Sequence, residues 1–160
     1  MPFETASWIW HPARENMDNF YLYARGGFDL PDVPSEARVF VTASSLYRLY
    51  LTGTYAGRGP RPSDPCRYYY DVYDVASLLR PGTNVIAAVC YNYGAETRGI
   101  LGQNWGRGGF LLELKAGQTS LVTDDSWRVL PAPEWDRNAP VNCTLLGDFK
   151  EIYDSRQEID

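Results

Sequence analysis

Residues 51–65, LTGTYAGRGPRPSDP, combine glycines with two arginines and are the first place to look for phosphate-binding chemistry. A phosphate-binding loop of the G-x-x-x-x-G-K-[ST] kind requires a lysine, a hydroxyl and a helix that starts at once, and none is present here in register. The segment NWGRGGF (104–110) is also rich in glycine, but it leads into a strand-like sequence, whereas a dinucleotide-binding loop leads into a helix. Neither segment predicts a nucleotide site.

Hydrolytic chemistry of the Ser-His-Asp kind would depend on the single histidine of the chain, His11, which lies in the sequence WIWHPA. There is no GxSxG or HExxH motif, and a lone histidine beside tryptophans is typical of packing or hydrogen bonding. Aspartates are numerous, so a carboxylate pair at glycosidase spacing is compatible with the sequence. Most of these aspartates, however, lie where turns and caps favour Asp, and we assign no catalytic residue.

A metal or a disulfide receives little support from the sequence. Calcium accepts roughly six to eight oxygen ligands in loose geometry, but the chain has no D-x-D-x-D-G loop, so we assign no cofactor and keep calcium as the open alternative. The three cysteines, Cys66, Cys90 and Cys143, lack CxxC spacing. Cys90 is expected in the core, and pairing of Cys66 with Cys143 stays open.

The aromatic content, 14% with 12 tyrosines and five tryptophans, is high for 160 residues. Aromatic residues cluster in YYYDVY (68–73) and in YNY (91–93), and because neighbours in a strand point to opposite faces, some of these rings must be exposed. Exposed rings flanked by Arg and Asn are suited to sugar recognition, since a ring packs on the apolar face of a pyranose while polar groups bind its hydroxyls. The alternative is that the rings cover a sheet against a second domain.

The elements that must position these side chains are β-strands. Short β-branched or aromatic runs flanked by Gly, Pro, Asp or Asn predict an all-β chain folded as a sandwich of two sheets. A hairpin turn is expected at Thr52-Gly53-Thr54, followed by a surface loop over 53–67, and one helical turn is expected within 74–84. The predicted strands cover 20–30, 37–43, 46–53, 67–75, 84–93, 109–117, 119–124, 126–131 and 148–154.

Alternation within the strands predicts which side chains are buried. In 37–43 one face carries Val39, Val41 and Ala43. In 46–51 the core face carries the side chains at 47, 49 and 51, while Arg48 and Tyr50 point the opposite way. One face of each strand should therefore form the core.

Length and charge limit the domain organisation and the partners. A chain of 160 residues matches one domain, which we expect over 1–155 with a polar tail at 156–160. The formal net charge of −5 argues against nucleic acid, and no apolar run predicts a membrane span. The N-terminal sequence lacks the features of a signal peptide, so the expected location is cytoplasmic as written, or secreted if a signal peptide was trimmed.

Several segments, taken in order, carry a resemblance to a known family. They are SWIW, the long run LYRLYLTGTYAGRGPRPSDPCRYYYDVYDVASLLRPGTNVIAAVCYNYG, and then GRGGFLLELKAG, TDDSWRV and EIYD. Their order resembles the N-terminal accessory β-sandwich domain of bacterial α-L-rhamnosidases, and YDVYDVASLLRPGTNVIAA is the most specific part. The resemblance implies a jelly-roll-like, galactose-binding-domain-like sandwich of two antiparallel sheets, which precedes a separate (α/α)6 barrel that carries the catalytic carboxylates. The chain is then expected to be a non-catalytic accessory domain whose partner is the catalytic domain of the parent enzyme.

Some relatives of this domain bind L-rhamnose through a calcium ion held by an Asp-Asn pair just after an NG hairpin. The hairpin of this chain reads Thr52-Gly53, and the positions that correspond to the ligand pair are Arg58 and Gly59. The resemblance therefore implies that this calcium ligand pair is absent here.

Our leading hypothesis is a non-catalytic carbohydrate-binding module that recognises rhamnose-containing or related glycans. The alternatives are a structural support domain that docks on the catalytic barrel without binding sugar and, less favoured, an independent hydrolase. Two Gly/Pro-rich loops, 53–67 and 94–109, should meet if they project from the same edge of the sandwich. The candidate sugar-binding residues are Arg58, Arg61, Asp64, Tyr91, Tyr93, Asn104, Trp105 and Arg107.

Overall fold

A computed structural model describes residues 2–12, 18–63, 66–94, 106–141 and 149–159. Its described residues form nine antiparallel strands and two short 3-10 helices, at Ala76–Leu78 and Ser155–Gln157. The strands are β1 (Phe20–Leu30), β2 (Ala37–Ser44), β3 (Leu46–Leu51), β4 (Thr54–Gly59), β5 (Asp71–Asp74), β6 (Gly82–Asn92), β7 (Gly109–Ala116), β8 (Thr119–Val122) and β9 (Arg128–Pro131).

The strands make two sheets that pack face to face. One sheet has the order β4-β3-β6-β1-β9, and the other has the order β5-β2-β7-β8. All of the pairings within them are antiparallel. The predicted fold class, an all-β sandwich of two antiparallel sheets, is confirmed.

The core lies between the two sheets and follows the period of two in the sequence. Along β1, for example, Leu22 and Ala24 are buried while Tyr21 and Tyr23 are only half-buried and face outward. In β2 the predicted buried face is correct, and in β3 Leu49 and Leu51 lie in the core, as expected. Each strand of the five-stranded sheet thus leaves a second face directed away from the core.

One prediction is wrong in a way that matters for the site: residues 54–59 form strand β4 rather than a surface loop. The turn that precedes it is the predicted hairpin, with positive φ at Thr52 and Gly53. The glycines in the strand have a packing role, because a Cβ at Gly57 would overlap the ring of Tyr73 and a Cβ at Gly59 would overlap the carboxylate of Asp71. Glycine here permits close approach between the two sheets at their edge.

Two other predicted strands differ from the structure by more than the one or two residues seen at the remaining strand ends. β5 covers only 71–74 of the predicted 67–75. Just before it, the Thr42 hydroxyl donates to the Tyr69 carbonyl at 2.7 Å. Within 148–154 the described residues form only isolated bridges. This segment runs beside 133–140, where two prolines lack the N–H that a regular ladder needs.

The remaining expectations concern the helical turn and the chain end. The turn expected within 74–84 is the short helix Ala76–Leu78, and the Asp74 carboxylate accepts the Ala76 N–H at 3.2 Å. Ser155–Gln157 is helical where the polar tail was expected to begin, and the domain limit near residue 155 stays a prediction. No helix in the described part of the chain is long and apolar enough to cross a membrane.

Candidate functional site

The outer face of the five-stranded sheet carries aromatic side chains that its register brings together. Tyr21 of β1 and Tyr91 of β6 are direct cross-strand partners, and Leu46 of β3 is the next partner in the same row. The two tyrosine rings lie with their centroids 4.4 Å apart. Distant parts of the sequence therefore meet on this face because strands of remote sequence position are neighbours in the sheet.

Two more rings contact the Tyr21–Tyr91 pair. Trp135 stacks on Tyr21 with centroids 4.2 Å apart and planes 11° apart, and Tyr93 meets Tyr91 edge to face at 4.8 Å. All four rings are half-buried. We call Tyr21, Tyr91, Tyr93 and Trp135 the aromatic platform.

The side chain of the buried Asn19 holds the platform in place through hydrogen bonds. The Tyr91 hydroxyl donates to Asn19 Oδ1 at 3.0 Å, and Asn19 Nδ2 donates to the carbonyls of Asp136 and Arg137 at 3.1 and 3.2 Å. Asn19 is 2% exposed. Because one amide binds both the Tyr91 hydroxyl and the backbone that follows Trp135, the tyrosine and the tryptophan are held in one arrangement.

Arginines lie beside the platform on the same outer face. Arg48 of β3 and Arg58 of β4 are direct cross-strand partners, both exposed, and Arg61 follows after Pro60. Among the described residues no carboxylate lies within ion-pair distance of these three guanidinium groups. They are therefore available as hydrogen-bond donors to a ligand.

The rim near Arg58 is organised by a chain of hydroxyl groups. The Tyr47 hydroxyl donates to Asp71 Oδ2 at 2.6 Å and lies 3.1 Å from the Tyr73 hydroxyl, which in turn donates to the Arg58 carbonyl at 3.0 Å. Burial raises the pKa of Tyr47, and its hydrogen bond to Asp71 raises it further. Tyr47 thus stays protonated and links the edges of the two sheets beneath the arginines.

These groups enclose an open cavity of about 800 Å³. Phe149 and Glu151 also line it. Burial is the main cause that raises the pKa of Tyr21, and the negative charge of Glu151 adds to it. The volume falls within the range of small-molecule sites, roughly 300–1,000 Å³, and the lining combines ring faces with guanidinium and carboxylate groups.

Four of the eight residues predicted from sequence line this cavity: Arg58, Arg61, Tyr91 and Tyr93. Arg107 is exposed and is not part of the lining. The other three, Asp64, Asn104 and Trp105, lie outside the described residues, as does Cys143. The expected meeting of the loops 53–67 and 94–109 stays a prediction, because residues 64–65 and 95–105 lie outside the described residues.

Sequence reasoning missed three important lining residues, Tyr21, Arg48 and Trp135. Alternation in β3 does place Arg48 on the outer face, but only the register shows that this face is the one shared with Tyr91. Trp135 lies in an irregular segment, and no periodic pattern connects it to β1. The pairing of β1, β3 and β6 is the signal that would have found Tyr21 and Arg48, and no sequence signal identifies Trp135.

The site does not fit a calcium ion held as in the relatives described above. Arg58 and Gly59 occupy the two corresponding positions, and a guanidinium group and a glycine supply no anionic ligand. Nor do the described residues contain any group of three or more His, Cys, Asp or Glu side chains that could hold a metal ion. What the cavity offers is ring faces for stacking and donors for hydrogen bonds.

Comparison of the sequence with known proteins matches this chain to the N-terminal domain of one enzyme family. The family profile described as the alpha-L-rhamnosidase N-terminal domain matches residues 32–160. An alpha-L-rhamnosidase from Streptomyces avermitilis is 35% identical over 133 residues, which are 78% of this chain and 12% of that protein.

Solved structures agree with the sequence comparison. The crystal structure of a GH78 family rhamnosidase from Bacillus sp. GL1 superposes with a TM-score of 0.83 at 34% identity, over 96% of this chain and 16% of the other. A lectin from Pleurotus ostreatus superposes with a TM-score of 0.62 at 20% identity, over 94% of this chain and 39% of the lectin, which shows a shared fold alone. The chain thus spans between about an eighth and a sixth of the length of the rhamnosidases it matches.

Proposed function

Since the chain belongs to the family of alpha-L-rhamnosidase N-terminal domains, we propose that it is a non-catalytic carbohydrate-binding module of an α-L-rhamnosidase-type glycoside hydrolase. The observation that carries this proposal is the aromatic platform, which faces an open cavity flanked by three arginines. The ligand class is a rhamnose-containing or related glycan.

The chemistry of the cavity suits a sugar of this kind. A pyranose presents C–H groups on one face and hydroxyls around its edge, so it can stack on a ring while guanidinium groups bind its oxygens. Rhamnose is a 6-deoxy sugar, and its methyl group adds apolar surface for contact with Tyr91 or Trp135. A shallow site of this type has an expected Kd in the millimolar to micromolar range, roughly −4 to −8 kcal/mol.

Hydrolysis by this chain is not expected. It spans 12% of the rhamnosidase from Streptomyces avermitilis, and the resemblance to that family implies that the catalytic carboxylates belong to a separate domain. In this proposal the catalytic domain of the parent enzyme cleaves the glycan, and the module holds the glycan nearby.

A support role is the second candidate, and an observation on the other sheet favours it. Tyr69, Tyr70 and Val72 lie in or just before the edge strand β5 and are 60%, 45% and 49% exposed. Apolar side chains grouped at an edge are suited to contact with another domain, here the catalytic domain of the parent enzyme. None of these three side chains lines the cavity, and the two roles are compatible.

Titration of the 160-residue chain with L-rhamnose and with a rhamnose-containing oligosaccharide, followed by NMR, tests the proposal. We expect saturable shifts of the Trp135 indole and of the Tyr21 and Tyr91 ring signals, with Trp8 unaffected because it lies outside the cavity. If no platform signal shifts at millimolar sugar, the binding function is wrong and the support role is left.

A further inference from the structure

An unfavourable pairing of like charges lies on the wall of the cavity. Arg48 and Arg58 are direct partners on the same face of neighbouring strands, and like charges directly opposite each other in a sheet destabilise it. Both side chains line the cavity, and Arg61 adds a third positive charge to the same wall. The fold thus keeps a repulsive arrangement at the place where a ligand would bind.

No carboxylate of the described residues forms an ion pair with these arginines. Two carboxylates line the cavity, but neither lies within ion-pair distance of an arginine there. Asp71 accepts a hydrogen bond from Tyr47 instead. The charges of Glu151 and Arg48 both act on Tyr21: burial is the main cause that raises its pKa, Glu151 raises it further, and Arg48 lowers it. An anion bound between the arginines would remove the repulsion.

The shape of the guanidinium group indicates which anion fits. Its N–H groups form a planar fork that matches the two oxygens of a carboxylate. In a partly enclosed cavity such a pair is stronger than in open water. The aromatic platform beside it holds the sugar ring to which that carboxylate is attached.

We propose that this cavity selects acidic saccharides, in which a uronic acid residue places its carboxylate between Arg48 and Arg58 while a ring stacks on the aromatic platform. This inference rests on the proposed function, since it specifies the ligand class of the same cavity. Neutral rhamnosides bind there too, but more weakly.

A matched pair of ligands tests the inference. One is a disaccharide of rhamnose and glucuronic acid, and the other is its methyl ester, which has nearly the same shape and no charge. By calorimetry with the 160-residue chain at low ionic strength, we expect the free acid to bind at least about tenfold more tightly than the ester. This preference should shrink as added salt screens the charges.

Variants test whether Arg48 and Arg58 cause the preference for the acid over the ester. Arg48→Gln and, separately, Arg58→Gln should bring the affinity for the acid towards that for the ester, and circular dichroism checks that each variant is folded. Arg128→Gln is the matched control, because Arg128 is an exposed arginine of the same sheet that does not line the cavity; its preference for the acid should be unchanged.

The outcomes separate the two proposals. Equal binding of acid and ester overturns the inference and leaves the sugar-binding function standing. Binding of neither ligand overturns both. An undiminished preference for the acid in folded Arg48→Gln and Arg58→Gln shows that other groups bind the carboxylate, and overturns the assignment to these arginines.

Discussion

Trp135 lies nearly parallel to Tyr21, with the ring centroids 4.2 Å apart and 11° between their planes. The backbone supports this stack, since the Ala132 N–H donates to the Tyr21 carbonyl at 3.1 Å. Asn19 binds the backbone on the other side of Trp135. The two rings are therefore in place before any ligand arrives, and binding does not have to order them.

Replacing this tryptophan should remove most of the sugar affinity. For Trp135→Ala we expect affinity to fall about tenfold or more, which is about 1.4 kcal/mol, because the ligand loses a stacking face. Trp135→Phe keeps an aromatic face and should lose less. Calorimetric titration with the rhamnose-containing oligosaccharide measures both.

Trp8→Ala is the matched control for this loss. Trp8 is 48% exposed and packs on Tyr68 outside the cavity, so its removal should leave affinity within about twofold. An equal loss of affinity in Trp8→Ala and Trp135→Ala would contradict a site centred on the platform.

Tyr47→Phe should destabilise the folded chain without creating a cavity in the core. The phenylalanine keeps the buried ring but leaves Asp71 Oδ2 without its donor and breaks the link towards Tyr73. Loss of a hydrogen bond to a charged, half-buried acceptor costs about 1–3 kcal/mol. Urea unfolding gives the difference, and Tyr50→Phe is the control, since Tyr50 is half-buried and packs on Tyr55. A Tyr47→Phe variant as stable as Tyr50→Phe would show that the link contributes nothing.

The free energy of unfolding should fall at alkaline pH. Burial raises the pKa values of Tyr21, Tyr23 and Tyr47 above the usual value of about 10. The folded chain then holds these protons more tightly than the unfolded chain does, so the stabilisation is complete below about pH 10 and is lost as the pH rises beyond it. Burial raises the pKa of the Cys90 thiol as well, which starts the decline at a lower pH.

Urea midpoints measured in steps from about pH 8 to pH 11 would show this decline. Tyr47→Phe should have a shallower slope above about pH 10 than the unaltered chain, because one of the raised groups is gone. Identical slopes would mean that the Tyr47 proton is not held more tightly in the folded state.

The sequence predicts the two sheets and their core-facing residues, but it does not predict which outward-facing residues of different strands contact each other. Apolar alternation predicts that Leu49 and Leu51 face the core, since burial follows a period of two that can be read from the local sequence. The contact of Tyr21 with Tyr91 depends on which strands are neighbours and on their register, and a local pattern contains neither. Tyr91 was predicted because it belongs to the aromatic cluster YNY (91–93), whereas Tyr21 joins the site only through the register of β1 with β6.

Glycine content misled the prediction for β4 for a related reason. Local rules assign Gly57 and Gly59 to a loop because glycine disfavours strands. In the fold, the space that a side chain would need is filled by Tyr73 and Asp71 of the facing sheet. A glycine required by a distant neighbour looks the same in sequence as a glycine required by a turn.

Two adjacent glycines in β1 provide a test of this packing argument. A Cβ at Gly26 would lie 2.5 Å from an atom of the Trp127 ring, whereas a Cβ at Gly27 would lie 3.7 Å from the Asn84 carbonyl, an ordinary contact. Trp127 cannot easily move aside, because its Nε1–H donates to the Val122 carbonyl at 2.8 Å. Gly26→Ala should therefore cost about 1–3 kcal/mol through overpacking.

Gly27→Ala should instead be neutral or stabilise the chain by up to about 1 kcal/mol, because alanine loses less backbone freedom on folding than glycine does. Urea unfolding of the two variants, side by side, measures the contrast. The near-ultraviolet circular dichroism of Trp127 should change only in Gly26→Ala. If both variants match the unaltered chain in stability, the tryptophan does not need the bare backbone at Gly26, and close packing is not the reason for glycine at that position.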